Sequence, residues 1–127
     1  MNRHLLRHAG LAAALALCAG AVAAADLKIT CEKRGTRSKA SVDGNNLPVG
    51  GSYYAVLSSG ANQAQTGVAA ATGDEVEFDF DSHANDIAHG AVPIAVNFIV
   101  DGRVSAQLLD ATGRVVASGS AICRVRR

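Results

Sequence analysis

Ile94-Ala95-Val96-Asn97-Phe98-Ile99-Val100-Asp101-Gly102-Arg103-Val104-Ser105-Ala106-Gln107-Leu108-Leu109-Asp110-Ala111-Thr112-Gly113-Arg114-Val115-Val116-Ala117 is the stretch whose reading decides the fold. Ile94, Val96 and Phe98 mark one apolar face, and Val104, Ala106 and Leu108 mark another. Each run leads into a turn carrying Asp and Gly, the pattern of hairpin-linked strands. Side chains alternate, so a one-residue slip turns an apolar face against a polar one. A two-residue Asp101-Gly102 turn pairs Phe98 with Ser105 and fails that test. A three-residue loop, Val100-Asp101-Gly102, pairs Phe98 with Val104, Val96 with Ala106 and Ile94 with Leu108, with Gly102 at the left-handed position. The turn Asp110-Ala111-Thr112-Gly113 then sets Leu108 against Val115 and Ala106 against Ala117. Gly119, Ala121, Cys123 and Val125 continue that face. The expectation is an antiparallel three-strand meander at the C-terminus.

Upstream the same period recurs, with no sustained 3.6-residue repeat. Leu27, Ile29 and Cys31 alternate with Lys28, Thr30 and Glu32; Ser38, Ala40 and Val42 alternate with Arg37, Lys39 and Ser41. Asp43-Gly44-Asn45-Asn46 reads as a turn before Ser52–Leu57. Ser58–Gly67 reads as a loop or ragged edge strand, and Ser82–Gly90 as the one place for a short helical turn. About seven short strands separated by turns give an all-β antiparallel sandwich or barrel rather than a parallel sheet.

Two segments resemble known architecture. Leu47-Pro48-x-Gly50-x-x-Tyr53-x-Ala55 and Leu108-x-Asp110-Ala111-x-Gly113-x-Val115-Val116-Ala117 resemble turn-strand units of small exported bacterial immunoglobulin-like or fibronectin-like domains. The resemblance implies a β-sandwich and carries no functional residue across. The chain departs from true immunoglobulin domains in having no Trp and in placing its cysteines near the two ends.

The first 25 residues have a different character. Arg3 and Arg7 precede an apolar Ala9–Leu17 run, and small residues follow as Ala21-Val22-Ala23 and Ala23-Ala24-Ala25. That order is a cleaved export signal, cut before Ala24 or Asp26. The apolar run falls short of the ~20 residues needed to span a bilayer. Cys18 follows Leu17, where lipoprotein processing wants a small residue. The division is therefore a signal peptide over 1–25 and one domain over 26–127, in the periplasm or the exterior of a bacterium. Losing Arg3 and Arg7 takes the basic residues from 12 to 10 against 11 acidic, so the net charge moves from +1 to −1. Neither value creates a field for nucleic acid, and aromatic residues for stacking are few. No stable membrane association is expected after the signal is removed.

Cys31 and Cys123 remain in the exported domain. An oxidising compartment makes one disulfide the simplest reading, with two buried free thiols as the alternative. The loop closed is worth ~4–5 kcal/mol in the chain-entropy account.

No constellation points to chemistry. Glu75, Glu77, Asp79 and Asp81 alternate with Val76, Phe78 and Phe80 and share a face about 6–7 Å apart. Inverting glycosidases use similar separations, but they need two carboxylates in different environments. The expectation is a solvated stripe, paired across strands with Arg37 and Lys39. Asp79, Asp81 and Asp86 miss calcium-loop spacing, and His83 and His89 lack a third strong ligand. No metal site, cofactor or catalytic residue is expected. Arg124-Val125-Arg126-Arg127 joins Lys33 and Arg34 in a positive patch if the terminal strands adjoin. The leading expectation is a non-catalytic binding or accessory module with an unknown envelope protein as partner. One alternative is a periplasmic enzyme inhibitor, because Ser58-Ser59-Gly60-Ala61 resembles the Ser-Gly-Ala loop of bacterial lysozyme inhibitors; Asn62-Gln63 departs from that family's Arg-Tyr continuation. The other alternative is a metal carrier built on the Asp79–His89 loop.

Overall fold

Period-two burial organises the chain into strands. The computed structural model describes residues Ala25 to Arg127, so the signal-peptide expectation lies outside the described residues except at Ala25. In β2 (Arg37–Asn45), Ser38, Ala40, Val42 and Gly44 face inward, and in β3 (Ser52–Ser59) Tyr53, Ala55, Leu57 and Ser59 do. Val76, Phe78 and Phe80 repeat the pattern in β6 (Val76–Asp81), as do Val104, Ala106 and Leu108 in β8 (Arg103–Asp110). The remaining strands are β1 (Asp26–Arg34), β4 (Asn62–Gln65), β5 (Ala69–Ala70), β7 (Val92–Pro93), β9 (Val115–Ile122) and β10 (Arg124–Arg126). Among the described residues one short helix, α1 (Ala84–Ala88), sits where the sequence allowed one.

Two sheets result. One runs β10-β1-β2-β6-β7; the other runs β4-β3-β8-β9, with β5 also paired to β3. Their inner faces share a single core in which Phe80, Leu57, Leu108 and Val42 are almost wholly buried. The architecture is an all-β sandwich of two sheets rather than a barrel. Among the described residues seven strands have four or more residues, and β5, β7 and β10 have two or three.

The meander is corrected at its first strand. Residues 94–100 form no strand; β8 instead pairs with β3, Ala55 against Leu108 and Leu57 against Ala106. The 94–100 segment crosses between the sheets, so Phe98 does not pair with Val104, nor Val96 with Ala106, nor Ile94 with Leu108. Ile94, Phe98 and Ile99 are buried there, while Val96 is exposed. The turn is the two-residue one: Val100 bridges Arg103, with Asp101 and Gly102 both left-handed at φ 55° and 64°. Apolar matching misjudged it because Val100 is only the end of a crossing coil, and no register extends behind it.

Side chains satisfy that coil's backbone, since a buried coil must find partners outside a ladder. Ser38 Oγ donates to Val96 C=O at 2.7 Å, and Asn62 Nδ2 donates to Phe98 C=O at 2.8 Å. Ser59 Oγ donates to Arg103 C=O at 2.6 Å and accepts from Val100 N–H at 2.7 Å.

The β8–β9 hairpin is present with a shifted register. Leu108 faces Ala117 rather than Val115, and Ala106 faces Gly119 rather than Ala117, because an irregularity at Leu108/Leu109 displaces the ladder. β9 also stops at Ile122. At Cys123 the chain leaves its sheet and, as β10, runs parallel to β1, with Glu32 opposite Arg124. Val125 is consequently exposed in the other sheet rather than continuing the face of β9. Cys31 and Cys123 are disulfide-bonded across this change of sheet, 92 residues apart in sequence.

Candidate functional site

The acidic strand is not uniform. Glu75 lies before β6 and exchanges backbone hydrogen bonds with Thr72. Glu77 and Asp79 are exposed, whereas Asp81 is buried. Arg37, at the start of β2, donates from Nε to Asp81 Oδ1 at 3.0 Å and from Nη2 to Asp81 Oδ2 at 2.7 Å. The same Nη2 reaches Asp86 of α1 at 2.8 Å, and His83 N–H donates to Asp81 Oδ1 at 2.9 Å. Burial by itself pushes the Asp81 carboxyl up. The Arg37 and His83 hydrogen bonds, with the charges of Arg37 and Lys39, outweigh it and hold the carboxyl below the usual carboxylate range. A bidentate guanidinium–carboxylate pair fixes two elements at once, which here are β6 and α1 against β2.

Further along β6 the electrostatics reverse. Glu77 stands opposite Asp43, and Asp79 stands opposite Ser41, whose hydroxyl donates to it. The Glu77 carboxyl is raised by the charges of Asp43 and Asp79, then by burial and Glu75. Asp43 is raised chiefly by burial, then by Asp79, with Lys28 opposing. Its Oδ1 is shut from solvent with no hydrogen-bond partner among the described residues. The row thus holds one acid, Asp81, kept as a carboxylate and one, Glu77, that resists ionisation together with Asp43 opposite it on β2, a difference that alternation alone does not show.

The histidines belong to the helix turn. His83 Nδ1 lies 3.2 Å from Asp86 Oδ2, and His89 Nδ1 lies 2.7 Å from Asn85 C=O. Among the described residues, no three His, Cys, Asp or Glu side chains converge as a metal-holding set. Ser59, within the Ser58-Ser59-Gly60-Ala61 turn, directs its hydroxyl into the fold. The terminal strands do adjoin: Lys33 faces Val125 and Arg34 faces Arg126, and Glu32 pairs with both Arg34 (3.3 Å) and Arg126 (3.1 Å).

The remaining candidate is a sheet edge. An open edge presents a row of N–H and C=O groups to any passing strand, and folded proteins blunt such edges by shortness, charge or proline. β4 has four residues and β5 two; β7 has two and ends in Pro93; β10 has three and carries Arg124 and Arg126. The stretch of β1 beyond the reach of β10 carries Asp26 and Lys28. β9 has none of these devices. Its eight residues, Val-Val-Ala-Ser-Gly-Ser-Ala-Ile, include no charge and no proline, and among the described residues only β8 pairs with it. Cys123 N–H donates to Gly102 C=O at 2.7 Å on the β8 side. Alternation of an antiparallel ladder then turns the N–H and C=O of Ile122, Ser120 and Ser118 outward. The sequence reading missed this edge together with Ser38, Ser59 and Asn62. A charge-free run beside turns was its available signal.

Comparison with protein-family models, curated proteins and solved structures found no match.

Proposed function

We propose that this protein is an exported, non-catalytic binding or accessory module of the bacterial periplasm or cell exterior, and that the outer edge of β9 is its binding element. The observation that carries the reading is the contrast between β9 and every other edge of the two sheets. A long uncharged edge is a template for strand addition, in which backbone hydrogen bonds supply affinity. Export is supported by the leader-like order of Met1–Ala25 and by the Cys31–Cys123 bond, which suits an oxidising compartment. Among the described residues no helix is long and apolar enough to cross a membrane. Immunoglobulin-like kinship belongs to the same proposal. Its support is the sheet order: β1, β2 and β6 lie together in one sheet and β4, β3, β8 and β9 in the other. With the seven longer strands lettered A, B, C, C′, E, F and G, this order is similar to an A-B-E and C′-C-F-G arrangement, the fourth strand lying beside C rather than in the A-B-E sheet.

The test is capture from envelope extract by the exported, disulfide-bonded protein and by its Ser120→Pro variant. Proline at an outward-facing edge position removes a free donor without touching the β8 ladder. Partners recovered by the parent and lost with the variant support the reading. Capture that the variant leaves unchanged, or no capture above background, overturns it.

A further inference from the structure

The surroundings of β9 say what kind of strand it takes. At its C-terminal end, Arg103 stands opposite Ile122, and Arg124 follows two residues later. Neither these two nor the terminal Arg127 has an ion-pair partner among the described residues, while Arg34 and Arg126 are both engaged by Glu32. Asp101 is the acid nearest in sequence and sits in the adjoining turn. Arg114, at the other end of β9, is paired with Asp110 at 3.3 Å. The edge is therefore neutral along its length and unbalanced at one end. Ile122 and Val125 add apolar surface there, with 77% and 62% of their areas exposed, and Val125 lies beside Gly102 of the turn. A second copy of this chain fits the edge poorly. The β9 of a second copy carries no acidic residue, so antiparallel self-pairing leaves the arginines at this end of either copy without a counter-charge.

We propose that β9 accepts, in antiparallel sense, an extended segment of another protein that carries acidic residues where it enters beside Ile122, Arg103 and Arg124 and is uncharged thereafter. This deepens the strand-addition reading above and rests on it. Backbone pairing at Ser118, Ser120 and Ile122 gives the docking; the unpaired arginines choose the partner and its direction. Charge of this exposed kind acts mainly on selection and is screened by salt.

Two acetylated peptides test it against the isotope-labelled exported protein: Glu-Glu-Val-Thr-Val-Thr-Val-Thr and the same sequence with Lys-Lys in place of Glu-Glu. The readouts are amide shifts and hydrogen-exchange protection. The expected result is binding of the acidic peptide about ten-fold tighter than the basic one at about 20 mM salt, with the gap closing near 0.5 M. Slowed exchange should be confined to Ser118, Ser120 and Ile122. Ser120→Pro should abolish binding, and the Arg103→Gln, Arg124→Gln double variant should keep binding while losing the preference. Equal binding of both peptides, or protection away from β9, overturns the proposal. So does sedimentation of the protein alone as a dimer that Ser120→Pro dissociates. If neither peptide binds but envelope capture still depends on Ser120, the acidic-segment proposal fails and the strand-addition reading stands. If both experiments fail, the binding-edge reading falls as well.

Discussion

Arg37 and Asp81 lie 44 residues apart in sequence and meet as a two-pronged pair, at 3.0 and 2.7 Å, with the carboxylate buried and the guanidinium partly open to water. Because Arg37 also holds Asp86, the pair couples the start of β2 to the end of β6 and to α1. Removing the cation leaves Asp81 in the interior with the His83 N–H as its one hydrogen-bond partner among the described residues.

Arg37→Met is accordingly expected to destabilise the fold by about 2–4 kcal/mol, toward the lower end of buried pairs because the arginine is partly solvated. The pH dependence has a definite sign. Asp81 is depressed in the folded state, so its contribution is complete above the unfolded value near ~3.9 and is lost as pH falls through the lower folded value. Denaturant unfolding from pH 7 to 2 should show the gap between parent and Asp81→Asn narrowing only at the acid end. A gap independent of pH refutes the clamp.

Ser59→Ala should cost about 1–3 kcal/mol, although the change removes one oxygen. It strips the acceptor from Val100 N–H and the donor from Arg103 C=O, both at the mouth of the crossing segment. Equilibrium unfolding measures it, and the same change at exposed Ser120 should be nearly neutral.

Two glycines should fail for different reasons. A Cβ on Gly44 lies 2.6 Å from Leu108 Cδ2, and Leu108 is fully buried with little room to yield. Gly44→Ala should therefore cost about 1–3 kcal/mol by overpacking. At Gly102 the nearest atom is an ordinary 3.5 Å away, but φ is +64°. Gly102→Val should cost about 1 kcal/mol or more through backbone strain. Small-to-large substitution at both sites, followed by chemical denaturation, separates these causes: Leu108→Ala should relieve Gly44→Ala and leave Gly102→Val unchanged.

The domain over 26–127, unreduced, should show no titratable thiol in denaturant, since Cys31 and Cys123 are bonded. Reduction should lower stability by about 2–5 kcal/mol. Two reactive thiols per chain before reduction would contradict the bond.

Calcium or zinc at 1 mM should move the melting temperature by less than about two degrees at matched ionic strength. A site of ~10 μM affinity would add ~2.7 kcal/mol, which for a domain this size is over ten degrees. The physical ground is that Arg37 already occupies Asp81 and Asp86, so a metal must displace a bidentate cation. A ten-degree rise abolished by Asp81→Asn or His83→Ala would restore the metal-carrier reading.

What the sequence determined by itself were properties that reside within a strand or a turn. Ala40-x-Val42, Val76-x-Phe78-x-Phe80 and Val104-x-Ala106-x-Leu108 announce which side chains are buried, because burial on one face of a strand has period two. Glycine at position 102 announces a left-handed turn, and Cys31 and Cys123, the two cysteines over 26–127, point to one bond. Tertiary structure decided which strands became neighbours. Backbone ladders carry no sequence label, and the apolar face of β8 matches Leu57 and Ala55 as well as it matches Phe98 and Val96. The choice fell to β3 because serine and asparagine side chains from β2, β3 and β4 satisfy the 94–100 backbone without a ladder. Pairing of the acidic stripe with Arg37 was expected from the alternation, but strand order decided that Asp81 is the acid it holds and that this carboxylate is buried. The open edge of β9 is the plainest case: its charge-free sequence was visible throughout, but an edge exists only once every other strand has taken its place.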